Sequence, residues 1–437
     1  MRLAALARDL CNGELVELGS QHTESRRGRM FMERGISALG LLVMVGLAWL
    51  MSAQRRRVNW RLVAMGLLLQ FAFAWLTLKT EPGQLLFDAL GRLFSRVLDF
   101  VDAGASFVFG KNFKDFYFAF RVLPTIIFFS SLMSVLYYLG VMQRVVKAMA
   151  WVMQRAMGTS GAESLSAAAN IFVGQTEAPL VIRPYIARMT NSELMAIMVG
   201  GFATIAGGVM AAYVGMGIDA GHLMTASVIS APAGLLIAKV LQPEVDRPET
   251  LGQSESVLPR TSSNVIEAAA EGASDGLKLA LNVAAMLIAF LGLIAMLDWC
   301  LASVGRLYFD QTWSFATVLG YLFWPLAWVM GVPSQDCMPV GELLGIRIVA
   351  NEFIAYEKLA DWIKHPEQTV ALTQRSRVLL TYALCGFANF GSIGIQIGGI
   401  GALAPDRRSD LARLGLRAML GGTIACFMTA CVAGVLL

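Results

Sequence analysis

The 437 residues are 56% hydrophobic and only 15% charged, with a mean hydropathy of +0.61. A soluble domain carries about 25% charged residues, so this chain cannot clothe a water-facing surface of its size, and lipid is its expected solvent. The net charge of +4 sits mostly in short arginine clusters between apolar runs; that excludes the one-sided basic face of a nucleic-acid binder and fits a positive-inside membrane protein.

The first 30 or so residues are polar and irregular and lack the apolar core of a signal peptide, so a disordered tail is expected over 1–34, or an over-long start with Met30 or Met32 as the alternative first residue. Apolar runs follow at 35–51 and 60–78, each near the ~20 residues a spanning helix needs. Gln54-Arg55-Arg56-Arg57 between them places that loop in the cytoplasm. Residues 84–108 repeat apolar positions at helical spacing with Asp and Arg between, which predicts an interfacial helix. A spanning run covers 116–142 and an amphipathic stretch 143–157.

Segment 164–187 is apolar on both flanks but holds Asn170, Gly174, Gln175, Thr176, Glu177 and Pro179 in its middle, so a broken, hairpin-like element is expected. Runs at 192–217 and 222–241 precede a polar loop at 242–262, an amphipathic helix at 263–276 and a span at 277–299. Glu267, Glu271 and Asp275 read as a solvated face of that amphipathic helix, and Asp298 beside Trp299 as an interfacial helix end. Segment 315–356 is interrupted by Gly331, Pro333, Pro339 and Gly345 and ends in Asn351-Glu352. The last runs, 376–403 and 411–436, are joined by a loop carrying Arg407, Arg408 and Arg413, a second cytoplasmic signal. The fold class expected is an all-α integral membrane protein of about eight transmembrane helices, two re-entrant hairpins and interfacial helices. Arg26, Arg27 and Arg29 in the tail argue for the opposite orientation of the N-terminus.

Neither a redox centre nor a metal enzyme is expected. The six cysteines (Cys11, Cys300, Cys337, Cys385, Cys426, Cys431) form no C-x-x-C pair, and His22, His222 and His365 are far apart. An internal repeat points instead to a transport site. Gly201-Phe202-Ala203 matches Gly386-Phe387-Ala388, and each is preceded, 24 and 34 residues earlier, by a glutamate in a broken segment, Glu177 and Glu352. Broken apolar segments at corresponding places in two halves mark a transporter's midplane site, because unwound backbone offers dipoles and carbonyls without water. An ionisable residue at mid-membrane costs at least about 2.5 kcal/mol on insertion scales, so both glutamates read as functional.

Gly174-Gln175-Thr176-Glu177-Ala178-Pro179-Leu180 with Ile182-Arg183-Pro184-Tyr185, Gly201-Phe202-Ala203-Thr204-Ile205-Ala206-Gly207, Asn351-Glu352-Phe353 and Cys385-Gly386-Phe387-Ala388-Asn389-Phe390 resemble the concentrative nucleoside transporter family, bacterial type, in the family's order over about 85–437. The resemblance implies an inverted-repeat core, a homotrimer in the cell inner membrane, and a symporter that imports nucleosides by elevator-type alternating access, driven by sodium or in some members by protons. It implies that Gly174, Gln175, Thr176 and Val209 meet the base or line the pocket, that Phe387 lies against the base, and that Glu177, Glu352, Asn389 and Ser392 address the ribose hydroxyls. Sodium would fall on Asn170, Thr204 and the carbonyls of Val173 and Ile205. Gly391 stands where many relatives are expected to have Ser, which leaves purine against pyrimidine open. The division implied is a tail (1–34), mainly scaffold and interfacial helices (35–157), a first transport half (158–262), an amphipathic and a scaffold helix (263–314) and a second transport half (315–437). The alternative reading is an ion-coupled carrier of another polar solute such as a nucleobase. An intramembrane enzyme using Glu177 and Glu352 as acid and base finds no supporting Ser/His/Asp set, and no cofactor is expected.

Overall fold

The structure is a computed structural model and describes residues 28, 30–113, 118–252, 262–309 and 313–437. Of the residues read as a tail, 28 and 30–34 are helical, the latter opening the first spanning helix, and the rest, with Cys11, His22, Arg26, Arg27 and Arg29, fall outside the described residues, as does 253–261 of the polar loop. Every regular element among the described residues is helical, and seven helices are long and apolar enough to cross a membrane.

Helix α1 (Met30–Leu50) and α2 (Trp60–Lys79) flank the turn Arg55–Arg57, and Asn59 caps α2 by accepting from the Leu62 amide. The amphipathic α3 (Glu81–Phe109) precedes α4 (Leu123–Tyr138), which extends a wider-wound turn at Phe118–Val122, and then the amphipathic α5 (Val141–Met157). The first broken element has α6 (Gly161–Ala169), an irregular tip, a tight turn Ala178–Ile182 and α7 (Arg183–Ile186). Next come α8 (Asn191–Ala203) and α9 (Gly207–Met216), separated by an extended Thr204, and α10 (Ala220–Leu241).

The second half differs from the hydropathy reading in three places. The amphipathic helix at 263–276 and the span at 277–299 are one helix, α11 (Val265–Phe309). Its 45 residues make it about 67 Å long, more than twice the ~30 Å hydrocarbon core, so it must tilt or project. Asp298 lies inside α11 and accepts the Phe315 amide at 2.6 Å, tying down the start of α12 (Phe315–Val329). Pro339 and Gly345 do not interrupt α13 (Cys337–Val349), because proline is tolerated in a first helical turn; the break falls at Ala350-Asn351, before α14 (Glu352–Lys364). The 376–403 run is also two pieces, α15 (Gln374–Leu384) and α16 (Phe390–Leu403), followed by α17 (Arg408–Leu436).

Hydrogen bonds fix which ends share a face. Ala53 N donates to Leu241 O (2.9 Å), and Arg417 donates to Met51 O (3.0 Å) and Leu241 O (2.8 Å). Gly161 N donates to Thr250 O (3.0 Å), and Arg407 reaches Met189 O. The two basic loops and the base of the first hairpin therefore lie on one side. At the other side Arg34 meets Leu437 O (2.6 Å), Arg375 donates to Ser37 Oγ and Gly434 O (2.9 Å each), and Thr373 N donates to Asp336 (3.0 Å) at the base of the second hairpin. The hairpins thus enter from opposite faces, and the fold is an all-α membrane protein with an inverted-repeat core.

Each hairpin base is held by buried polar groups. At the first, capping boxes Ser160/Glu163 and Thr190/Glu193 surround Lys239, whose ammonium is 2.7 Å from Glu163 and 3.1 Å from Glu244. At the second, one Asp336 oxygen accepts from Thr373 Oγ1 (2.7 Å) and Ser376 Oγ (2.6 Å). Helices α8, α10 and α17 are almost wholly buried, whereas α4 and α11 turn most of their surface outward. The apolar faces of α3, α11 and α12 are exposed, with Phe107, Ile288, Trp299 and Tyr321 among the bare side chains.

Candidate functional site

The breaks in the two halves cross. Phe387 N donates to Thr204 O (3.2 Å), and Phe172 O in the first hairpin tip accepts from Gly207 N (3.0 Å). Two glycines allow this approach: a Cβ on Gly386 would stand 2.6 Å from Phe202 O, and one on Gly201 2.9 Å from Gln175 Cβ. The repeated Gly-Phe-Ala therefore marks the crossing, although the first copy ends a helix and the second lies in unwound chain.

Around the crossing runs a chain of side-chain hydrogen bonds. Glu352 is the first residue of α14, where the positive helix end favours a carboxylate. Its two oxygens accept from Tyr213 OH (3.2 Å) and Asn389 Nδ2 (3.0 Å). Asn389 caps α16, its oxygen taking the Ser392 amide at 2.9 Å, and Ser392 Oγ accepts from Gln175 Nε2 (3.2 Å). Gln396 closes the far end, donating to Gln175 Oε1 (3.0 Å) and Met198 O (3.1 Å). Gln175, Glu352, Asn389, Ser392 and Gln396 are buried, Val209 is buried on α9, and Phe387 is half-buried.

Gly174, Thr176 and Glu177 sit at the other edge of this cluster. Glu177 is exposed and accepts from Thr176 Oγ1 (3.0 Å); a Cβ on Gly174 would collide with its carboxylate. Thr176 also packs on Gly399 of α16. Glu177, Gly174, Val173 and Ala206 line a cavity of about 260 Å³, whose opposite wall is Ser130 and Tyr137 of α4 with Glu271 and Asp275 of α11. Glu271 and Asp275 thus face this cavity rather than forming a purely solvated face, and Glu271 also accepts from Ser262 Oγ (2.6 Å). The cavity does not reach Gln175, Val209, Glu352, Phe387, Asn389 or Ser392.

Asn170 and Thr204 both meet α8 at Gly200. Thr204 Oγ1 donates to Gly200 O (2.9 Å), and a Cβ on Gly200 would stand 3.4 Å from Asn170 Nδ2. Both amide atoms of Asn170 are buried with no hydrogen-bond partner. A buried, unpaired amide is costly, and a hard cation takes neutral and anionic oxygens, so the pair fits a small hard cation carried as cargo. Val173 lines the cavity, and Ile205 is buried between the two broken helix halves.

Sequence reasoning missed Tyr213, Gln396 and Arg347. The argument that singled out Glu352, a polar group in apolar surroundings, applies equally to Gln396 in the Gly/Ile-rich α16 and to Arg347 in α13. Tyr213 carried no such signal, because an aromatic residue in a spanning helix is ordinary.

Comparison with known proteins identifies the family. Family profiles described as the Na+ dependent nucleoside transporter N-terminus and C-terminus match residues 39–112 and 222–434, and one described as nucleoside recognition matches 119–220. The chain is 47% identical over 411 residues to solute carrier family 28 member 3 of Eptatretus stoutii, covering 92% of this chain and 60% of that protein. It therefore spans about 60% of the length of that curated relative. It is also 47% identical over 404 residues to an uncharacterized transporter of Haemophilus influenzae, covering 91% of this chain and 96% of the relative. Among solved structures, CNTnw in an inward-facing substrate-bound state is similar with a TM-score of 0.86 and 44% identity, covering 92% of this chain and 97% of that one.

Proposed function

The chain belongs to the family of Na+ dependent nucleoside transporters, and on that premise we propose that it is a secondary active symporter importing nucleosides across the cell inner membrane on a sodium gradient. The family is one of transporters and not of enzymes, so Glu177 and Glu352 act here as ligands and not as an acid–base pair. The observation that carries the reading is the buried chain Glu352–Asn389–Ser392–Gln175 at the crossing of two broken helices, beside an unpartnered Asn170 amide. Carboxylate and amide groups are the partners that ribose hydroxyls need, and charge-assisted hydrogen bonds are the stronger kind. In this reading Glu352, Asn389, Ser392 and Glu177 take the ribose, Gln175, Thr176 and the Gly174 backbone take the base edge, and Phe387 and Val209 take its faces. Sodium is held by Asn170 and Thr204 with the Val173 and Ile205 carbonyls.

The packing is compatible with the movement we propose. Hairpins that enter from opposite faces and meet at a midplane site suit an elevator, in which the buried α8, α10 and α17 travel with the site along α4 and α11. Helix α2 packs on α10 and α17, and α1 meets α17 where Gly40 lies against Cys431 and Ser37 against Gly434, so the scaffold we propose is narrower than residues 35–157 and centres on α3, α4 and α11. The bare apolar faces of α3, α11 and α12 meet lipid or, in the homotrimer we propose, neighbouring copies of the chain. The test is uridine and adenosine uptake into proteoliposomes under an inward sodium gradient, with a proton gradient as control. Accumulation above equilibrium with sodium is expected; uptake driven by protons alone would move the cation off Asn170 and Thr204.

A further inference from the structure

Arg347 takes no part in the site as drawn above, yet it is fully buried in α13, five residues before Glu352 and on the far side of the Ala350-Asn351 break. A charged group in the membrane interior is functional by default. Its surroundings are not those of an ordinary ion pair, since no carboxylate is its partner among the described residues. Nε donates to Gly386 O (3.4 Å), in the unwound segment that carries Phe387 and Asn389. Nη2 donates to Cys426 Sγ of α17 (3.1 Å), the guanidinium lies 5.8 Å from the Phe427 ring centroid, and Nη1 has no partner. Cys426 Sγ in turn reaches Cys385 O (3.2 Å) at the start of the same unwound segment. One side chain thus ties the second hairpin, the break in α15–α16 and α17 together behind the nucleoside-facing residues.

We propose that Arg347 is a positioning residue for nucleoside binding: its guanidinium fork holds the Cys385–Asn389 segment in the unwound form that presents Asn389 to Glu352 and Phe387 to the substrate. Unwound backbone in a membrane needs donors for its carbonyls, and the planar guanidinium offers several in fixed directions. An ordinary core arginine would matter for folding alone. This inference rests on the nucleoside reading, and the wild-type chain separates the two: sodium-driven uridine uptake by wild type is required by both, whereas the variants speak only to Arg347.

The experiment measures KM and Vmax for uridine and for 2′,3′-dideoxyuridine in proteoliposomes, for wild type, Arg347→Met, Arg347→Lys and Cys426→Ala, each normalised to folded protein. Loss of hydrogen bonds from a charged donor predicts a rise in uridine KM of about tenfold or more in Arg347→Met, about threefold in Arg347→Lys and about twofold in Cys426→Ala. The preference for the ribonucleoside should shrink in the same order, because the ribose partners lose their seat. In Glu352→Gln, adding Arg347→Met should change KM by less than about twofold, since coupled residues are not additive. An unchanged uridine KM and unchanged ribose preference in Arg347→Lys and Cys426→Ala, with Vmax alone falling, would overturn the proposal, and does so even if Arg347→Met fails to fold.

Discussion

Glu177 and Glu352 occupy corresponding hairpins of an inverted pair, yet their surroundings differ. Glu352 is closed in by Tyr213 and Asn389 at the positive end of a helix. Glu177 stands exposed at the rim of a cavity with Thr176 donating to it. In the proposed site, one half is thus already hydrogen-bonded while the other is left open toward one face. The hairpin bases repeat the asymmetry in other residues, with Lys239 paired to two glutamates on one side and Asp336 accepting hydroxyls on the other.

The largest effect should come from the closed arm. Glu352→Gln removes the charged acceptor of Asn389 and Tyr213, and uridine uptake should fall at least about 100-fold, or about 2.8 kcal/mol, in initial-rate assays. Glu177→Gln should raise KM by about tenfold with Vmax largely kept, because an exposed carboxylate loses less on neutralisation. Equal losses in the two variants would erase the distinction between the arms. Tyr213→Phe sharpens the comparison: it deletes one hydrogen bond to Glu352, worth about 1 kcal/mol, so KM should rise about fivefold. No change there would mean Tyr213 packs but does not orient.

Much of the fold was legible because lipid makes hydropathy decisive. The run at 60–78 became Trp60–Lys79, and the run at 222–241 became Ala220–Leu241. Continuity was harder to read. The 376–403 run kept its apolar character across the break at 385–389, since a buried unwound segment needs only partners for its backbone and no polar sequence of its own. Conversely, Pro339 and Gly345 suggested a break that α13 does not have, the first because it falls in an opening turn and the second because it lets Leu319 of α12 pack close.

At the site, motifs drew attention to Glu177, Glu352, Asn389 and Gln175, which carry unusual chemistry in apolar company. Tyr213 and Gln396 became visible only through their partners. Gln396 is 221 residues from Gln175, to which it donates. No local pattern can announce such a pairing, which depends on how the two halves cross.

The central claim is that the closed Glu352–Asn389 arm reads ribose. The most direct test is competition against sodium-driven uridine uptake by unlabelled uridine, 2′,3′-dideoxyuridine and uracil in wild-type proteoliposomes. The account predicts strong competition by uridine, weakening at least about tenfold for the dideoxynucleoside and further for the free base, as expected when buried polar groups are left unpaired. Uracil competing as well as uridine would contradict it and return the chain to the carriers of a polar solute without a sugar.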